Sequence, residues 1–223
     1  MQNAKRIKII CGHYGAGKTN VAVNLAMLYK KRYPSAKVAL ADVDTVNPYF
    51  RAADNATELE GMGIHPIVPE FANTNVDIPS LPAELYALFS KDSETVSFID
   101  VGGDDGAAAL GMYSDLISEC GYEMIYVVSK YRPLIEDPAA AAELMHIIEE
   151  VSHLKCTAVV NNSSVGAETT KEDVLASIDY AHKVSEACGL PLLFTSYCKE
   201  ITGEIKVEGE RLFPIKNVTK QIF

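Results

Sequence analysis

Between residues 11 and 19 the chain reads Cys11-Gly12-His13-Tyr14-Gly15-Ala16-Gly17-Lys18-Thr19. Gly12, Gly17, Lys18 and Thr19 hold the fixed positions of the phosphate-binding pattern G-x-x-x-x-G-K-[ST]. Each residue type suits an anionic ligand. Glycines let the backbone curl until successive N–H groups converge on a β-phosphate, where a Cβ would block close approach. Lys18 supplies a point charge between the β- and γ-phosphates, and the Thr19 hydroxyl is a ligand for Mg²⁺. The nucleotide-contacting stretch is then Gly12, His13, Tyr14, Gly15, Ala16, Gly17, Lys18, Thr19 and Asn20.

Acidic residues recur where a second and third element of such a site belong. Lys37 to Asp42 is an apolar stretch ending in Asp42-Val43-Asp44. Two aspartates one residue apart at a strand end can share the work: one bonds Mg²⁺ or its waters, the other orients or deprotonates an attacking water. Asp42 and Asp44 are therefore both candidate catalytic residues, and Asp44 is also a candidate metal ligand. Thr95 to Asp100 is a second apolar stretch ending in an acid, followed by Val101-Gly102-Gly103-Asp104-Asp105-Gly106. Asp100 is expected to complete the Mg²⁺ shell, and the Gly103 amide to bond the γ-phosphate. After a later strand, the Asn161 carboxamide offers both an acceptor and a donor to a base edge, which suits adenine.

The elements that position these residues follow from periodicity. Arg6 to Cys11 reads as a strand running into the loop. Thr19 to Arg32 carries Val21, Leu25, Leu28 and Tyr29 at helical spacing. Its last turn, Lys30-Lys31-Arg32, suits a helix C-terminus. A strand is expected over Gly63 to Val68, a loop over Ala72 to Pro79 and a short helix over Leu81 to Phe89, while residues 52 to 82 as a whole are poorly legible. Further on come a helix over Ala107 to Ile117 and strands over Glu123 to Val128, Cys156 to Asn161 and Leu192 to Thr195. Asp137-Pro138 opens one helix with proline in its first turn. Thr169 or Thr170 opens another, with Asp173 as the capping-box partner of Thr170. At the tail, Ile215, Val218 and Ile222 share a helical face that would cover a sheet edge or meet a subunit.

Composition narrows the class. The chain has 223 residues, 48% of them hydrophobic, and a formal net charge of −10. That charge disfavours nucleic acid and anionic membrane as partners. Apolar runs are too short to span a bilayer, and the basic start leads into a strand, so a cytoplasmic protein is expected. Cys11, Cys120, Cys156, Cys188 and Cys198 are odd in number and scattered, which argues against a disulfide framework or a zinc site and for free thiols.

Taken together, the order of phosphate loop, strand-Asp-x-Asp, strand-Asp-x-Gly-Gly and strand-Asn resembles the MinD/ParA class of P-loop ATPases, to about residue 195. Asp42 to Arg51 and Gly102 to Ala107 resemble, more narrowly, a bacterial subgroup named for its likeness to the nucleotide domain of cobyrinic acid a,c-diamide synthase. The resemblance implies an α/β, three-layer P-loop NTPase fold, with a mostly parallel sheet, helices on both faces, and one domain over residues 1–223. It implies ATP and Mg²⁺ as cofactors, with Lys18 and Thr19 on phosphate and metal, Asp44 or Asp42 near the attacking water, Asp100 on the metal and Asn161 on adenine. Nothing like Asn-Lys-x-Asp follows Asn161 to demand guanine.

The chain departs from the class at His13, where MinD/ParA proteins carry a second lysine that reaches across a dimer. Arg51, Lys130 and Arg132 are the basic residues that could stand in. The expected activity is Mg²⁺-dependent ATP hydrolysis used as a nucleotide switch toward a protein partner, with a homodimer compatible. ATP-dependent activation of a small carboxylic acid and non-hydrolysing nucleotide sensing are the alternatives.

Overall fold

The computed structural model describes residues 5–43, 53–67 and 83–218. The expected catalytic residue Asp44, the basic candidate Arg51, the expected loop over 72–79 and the tail residue Ile222 lie outside them.

The apolar stretches form one eight-stranded sheet: β1 (Ile7–Gly12), β2 (Val38–Asp42), β3 (Ile64–Ile67), β4 (Val96–Asp100), β5 (Tyr122–Val128), β6 (Ala158–Asn161), β7 (Leu192–Cys198) and β8 (Leu212–Ile215). Their order is β3-β2-β4-β1-β5-β6-β7-β8, and every neighbouring pair is parallel. Parallel strands covered on both faces need no polar alternation. Accordingly β2 is buried at all five positions.

Helices α1 (Lys18–Arg32), α2 (Ala53–Gly61), α3 (Ala83–Leu88), α4 (Gly103–Gly111), α5 (Ser114–Cys120), α6 (Pro138–Ser152), α7 (Lys171–Cys188) and α8 (Lys199–Thr202) connect the strands. From β1 the chain crosses through α1 toward β2 on one side, whereas β5 crosses through α6 toward β6 on the other. Right-handed crossovers therefore set α1 and α6 on opposite faces. Helices α4, α6 and α7 pack side by side, and α1 packs on β1, β2 and β4. The strand order reverses at β1, the position where open α/β sheets form a ligand crevice at the strands' C-terminal ends.

Local signals explain the helix ends. Asp137 accepts from the Ala139 and Ala140 amides at the start of α6, with Pro138 in the first turn. Thr170 and Asp173 close a reciprocal capping box on α7, and Gly189 ends it in the left-handed region.

Three expectations change. The helix expected over Ala107 to Ile117 is two helices, α4 and α5, with the break at Met112-Tyr113. Helix α2 was not anticipated, because its 53–61 stretch carries few apolar residues to set a period. Ile215, expected on a helical face with Val218, is instead the last residue of β8, a strand beside β7, and Val218 lies in irregular chain after it. The segment after β8 is fastened to α1: Asn24 Nδ2 donates to Lys216 O and Asn24 Oδ1 accepts from Lys216 N, each at 2.8 Å. All five cysteines are free, with Cys11 and Cys156 buried. Among the described residues, no helix is long and apolar enough to cross a membrane.

Candidate functional site

The loop after β1 shows why glycines stand where they do. Gly12 has φ +144°, and a Cβ there would overlap the Val127 carbonyl of the neighbouring strand. Gly17 has φ +82°, and a Cβ there would overlap the Asn162 carboxamide. Both positions have a backbone that favours glycine; at Gly12 the close approach is to main chain, at Gly17 to the end of the Asn162 side chain.

The carbonyls of this loop are held in turn. Lys18 is buried, and its Nζ donates to His13 O across the loop at 3.1 Å. Ala16 N donates to the same oxygen at 3.1 Å. Arg132 Nε donates to Gly15 O at 2.6 Å, and Asn162 Nδ2 donates to Ala16 O at 2.8 Å. Amides of such a loop, with the N-terminus of the helix that follows, are groups that could meet an anion.

The acids meet this loop through the sheet register. Asp42 and Asp100 are Cα partners at the ends of β2 and β4, and both are buried. Val43 N donates to Asp100 O at 2.9 Å, and Val101 N donates to Ile10 O at 3.0 Å. Three strand ends are thus locked at one level. Thr19 Oγ1 then donates to Asp100 Oδ2 at 2.6 Å, joining the first turn of α1 to β4. Gly103, expected as an amide donor, is the first residue of α4 with Gly102 as its N-cap, so its N–H belongs to the helix's unsatisfied first turn.

The fold is that of the P-loop NTPases. Among solved structures, the chain is similar to the chloroplast FtsY of Physcomitrella patens, with TM-score 0.56 and 17% identity over 87% of this chain and 59% of that one. It is similar to a ParA family ATPase from Chlorobium tepidum TLS, with TM-score 0.52 and 15% identity over 86% and 84% of the two chains. It is also similar to the 54 kDa signal recognition particle protein of Aeropyrum pernix K1, solved in complex with GDP, with TM-score 0.51 and 21% identity over 85% and 40%. The chain spans about 59% of the length of the FtsY structure. No protein-family model matches the chain, and no curated protein matches it.

Within this P-loop fold, several expected site residues sit elsewhere than expected. Asn161 is fully buried, and its carboxamide is consumed by the core: Nδ2 donates to Ser177 Oγ at 2.9 Å and Thr195 Oγ1 at 3.2 Å, while Oδ1 accepts from Ser163 Oγ at 2.6 Å. It ties β6, α7 and β7 together and presents no edge to a base. The neighbour that touches the loop is Asn162, whose Oδ1 also accepts from Ser196 Oγ at 2.5 Å. The signal for it was the Asn-Asn pair itself, since adjacent residues leave a strand end in different directions. Asn20 directs its Oδ1 to the Val218 amide at 2.8 Å. Tyr14 is 64% exposed, and His13 Nδ1 lies 2.8 Å from Tyr14 O.

The basic stand-ins separate clearly. Lys130 Nζ donates to Ala176 O on α7 at 3.0 Å, which holds it away from the loop. Arg132 sits on the loop itself.

The donor set suits Mg²⁺. A hydroxyl and carboxylates, all oxygen, are what a small hard cation takes when it keeps several waters. Among the described residues no group of three or more His, Cys, Asp or Glu is placed to hold a metal ion.

Proposed function

We propose that this protein binds ATP with Mg²⁺ and hydrolyses it as a nucleotide switch, as a single nucleotide-binding domain of the MinD/ParA-like class. The observation that carries the reading is the Thr19–Asp100 hydrogen bond. It brings a phosphate-loop hydroxyl and a buried strand-end carboxylate together where a nucleotide's metal belongs. The narrower likeness to the cobyrinate synthase nucleotide domain rests on Asp42 to Arg51 and Gly102 to Ala107 alone.

In this reading the loop amides and the N-terminus of α1 hold the β-phosphate. Lys18 neutralises charge between β and γ. Thr19 and Asp100, with Asp44, hold Mg²⁺, which supplies charge neutralisation on the phosphate oxygens. Asp42 or Asp44 orients the attacking water, and the Gly103 amide bonds the γ-phosphate. Loss of that phosphate releases the segments after β2 and β4, altering a protein contact.

The test is nucleotide binding and phosphate release by wild type, Lys18→Ala and Asp44→Ala. Lys18→Ala should abolish tight binding, and Asp44→Ala should bind but turn over poorly. Wild-type turnover in both variants would end this reading. Turnover by wild type that stays low until a small carboxylic acid is added would move the protein to the substrate-activating class.

A further inference from the structure

Arg132 reaches the phosphate loop from the segment that follows β5. Its Nε donates to Gly15 O at 2.6 Å, and a Cβ built on Gly15 would lie 3.0 Å from its Cζ and 3.2 Å from its Nη1. The guanidinium therefore lies flat against the loop. Its Nη groups make no hydrogen bond among the described residues.

The site's polarity tells where this cation stands. Thr19 and Asp100 mark the metal side. Lys18, which reaches the β- and γ-phosphates in such loops, spans to His13 O at 3.1 Å, so with a nucleotide bound the rim formed by residues 13–15 would border the terminal phosphate. Arg132 is docked on that rim.

The segment carrying Arg132 is fixed in place. Arg132 N donates to Ser129 O, and Ile135 N donates to Arg132 O, each at 3.3 Å. Ile135 is fully buried, and its carbonyl accepts from Tyr180 Oη at 2.5 Å. Between them Leu134 has φ +72° and is 75% exposed. A non-glycine residue in the left-handed region, with its side chain in water, is strain kept for the conformation of the segment.

Building on the hydrolytic reading above, we propose that Arg132 is a catalytic arginine acting in cis, placing its Nη donors on the terminal phosphate oxygens. Hydrolysis forms a bond from water oxygen to the γ-phosphorus. The bond to the bridging oxygen breaks, its electron pair leaves on ADP, and the water proton passes to the released phosphate. Arg132 neither gains nor loses a proton; it offsets charge spread over the equatorial oxygens. The γ-phosphate then has an arginine from its own chain, and turnover does not require a second subunit.

The test compares wild type with Arg132→Ala and Arg132→Gln, measuring Mg-ADP affinity, Mg-ATP affinity and phosphate release. Glutamine keeps a donor for Gly15 O without the charge. Arg132→Gln should bind Mg-ADP within about threefold of wild type, and both variants should lose about tenfold of the preference for ATP over ADP and turn over ~100-fold or more slowly. Wild-type specific activity should stay flat as protein concentration rises. Wild-type behaviour of Arg132→Gln, or equal loss of ADP and ATP affinity, would overturn the proposal and leave the P-loop reading standing. Failure of wild type to bind either nucleotide would overturn both. If wild type binds without turnover, the ATP-over-ADP preference alone decides it.

Discussion

Thr19 Oγ1 and Asp100 Oδ2 are 2.6 Å apart although 81 residues separate them in the chain. The contact exists because β1 and β4 are adjacent and in register, with Ile10 opposite Asp100, while α1 starts directly above β1. A hydroxyl poised on a carboxylate at a strand end is a ready oxygen pair for a hard cation.

That pairing predicts a specific metal dependence. Wild-type affinity for ATP should rise with Mg²⁺, and Thr19→Val and Asp100→Asn should each lose roughly tenfold of that gain. ATP affinity without Mg²⁺ should change little. Titration calorimetry with and without Mg²⁺ checks it; a full metal gain in both variants would break the assignment.

Asn161 and Asn162 should separate cleanly. Asn161→Ala removes a fully buried carboxamide that joins Ser177, Thr195 and Ser163, so it should cost about 1–3 kcal/mol of stability. It should leave the relative affinity for ATP and GTP unchanged, because the side chain does not face a base. Asn162→Ala frees the Ala16 carbonyl and should weaken binding of both nucleotides. Thermal unfolding with competition binding distinguishes them; a changed ATP:GTP ratio in Asn161→Ala would restore that residue to the base site.

The phosphate loop was legible because its residues are contiguous and their types are dictated locally: glycines at positive φ, then lysine, then a hydroxyl. The acids at β2 and β4 were legible because buried strands end in polar residues at the ligand edge. What sequence alone could not supply was partner geometry. Nothing local distinguishes Asn161 from Asn162, or Lys130 from Arg132; only the placement of β5 beside β1, with β6 next in the sheet, decides which of each pair meets the loop. Strand β8 was misread because Leu212-Phe213-Pro214-Ile215 is short, contains a proline, and extends the sheet as an edge strand.

Gly12 and Gly17 should fail differently. A Cβ at Gly12 meets main chain, the Val127 carbonyl, whereas one at Gly17 meets the Asn162 side chain. Gly17→Ala should therefore be less damaging in an Asn162→Ala background than the two single losses summed, a coupling of about 0.5–3 kcal/mol. The left-handed backbone leaves a residual cost of about 1–2 kcal/mol. No side-chain deletion should rescue Gly12→Ala. A double-mutant cycle by denaturant unfolding measures this, and strict additivity at Gly17 would contradict the steric account.

Glu149 links stability to pH. Burial pushes its carboxyl up, but the Lys155 ammonium, the Cys156 amide and His146 outweigh this and hold it below its ordinary value of 4.5. Oε2 accepts from Lys155 Nζ at 2.6 Å, and Oε1 accepts from Cys156 N at 2.8 Å, so the carboxylate fastens α6 to the start of β6. A carboxyl with a depressed folded value stabilises above its unfolded value and loses that contribution as pH falls through the folded one. Melting temperature should therefore decline as pH drops below 4.5, and decline less steeply in Glu149→Gln, which keeps the acceptor for Cys156 N but not the charge. At neutral pH Glu149→Ala should cost about 1–3 kcal/mol, because a buried amide loses its acceptor. Parallel pH profiles for wild type and Glu149→Gln would show that the carboxylate's charge plays no part.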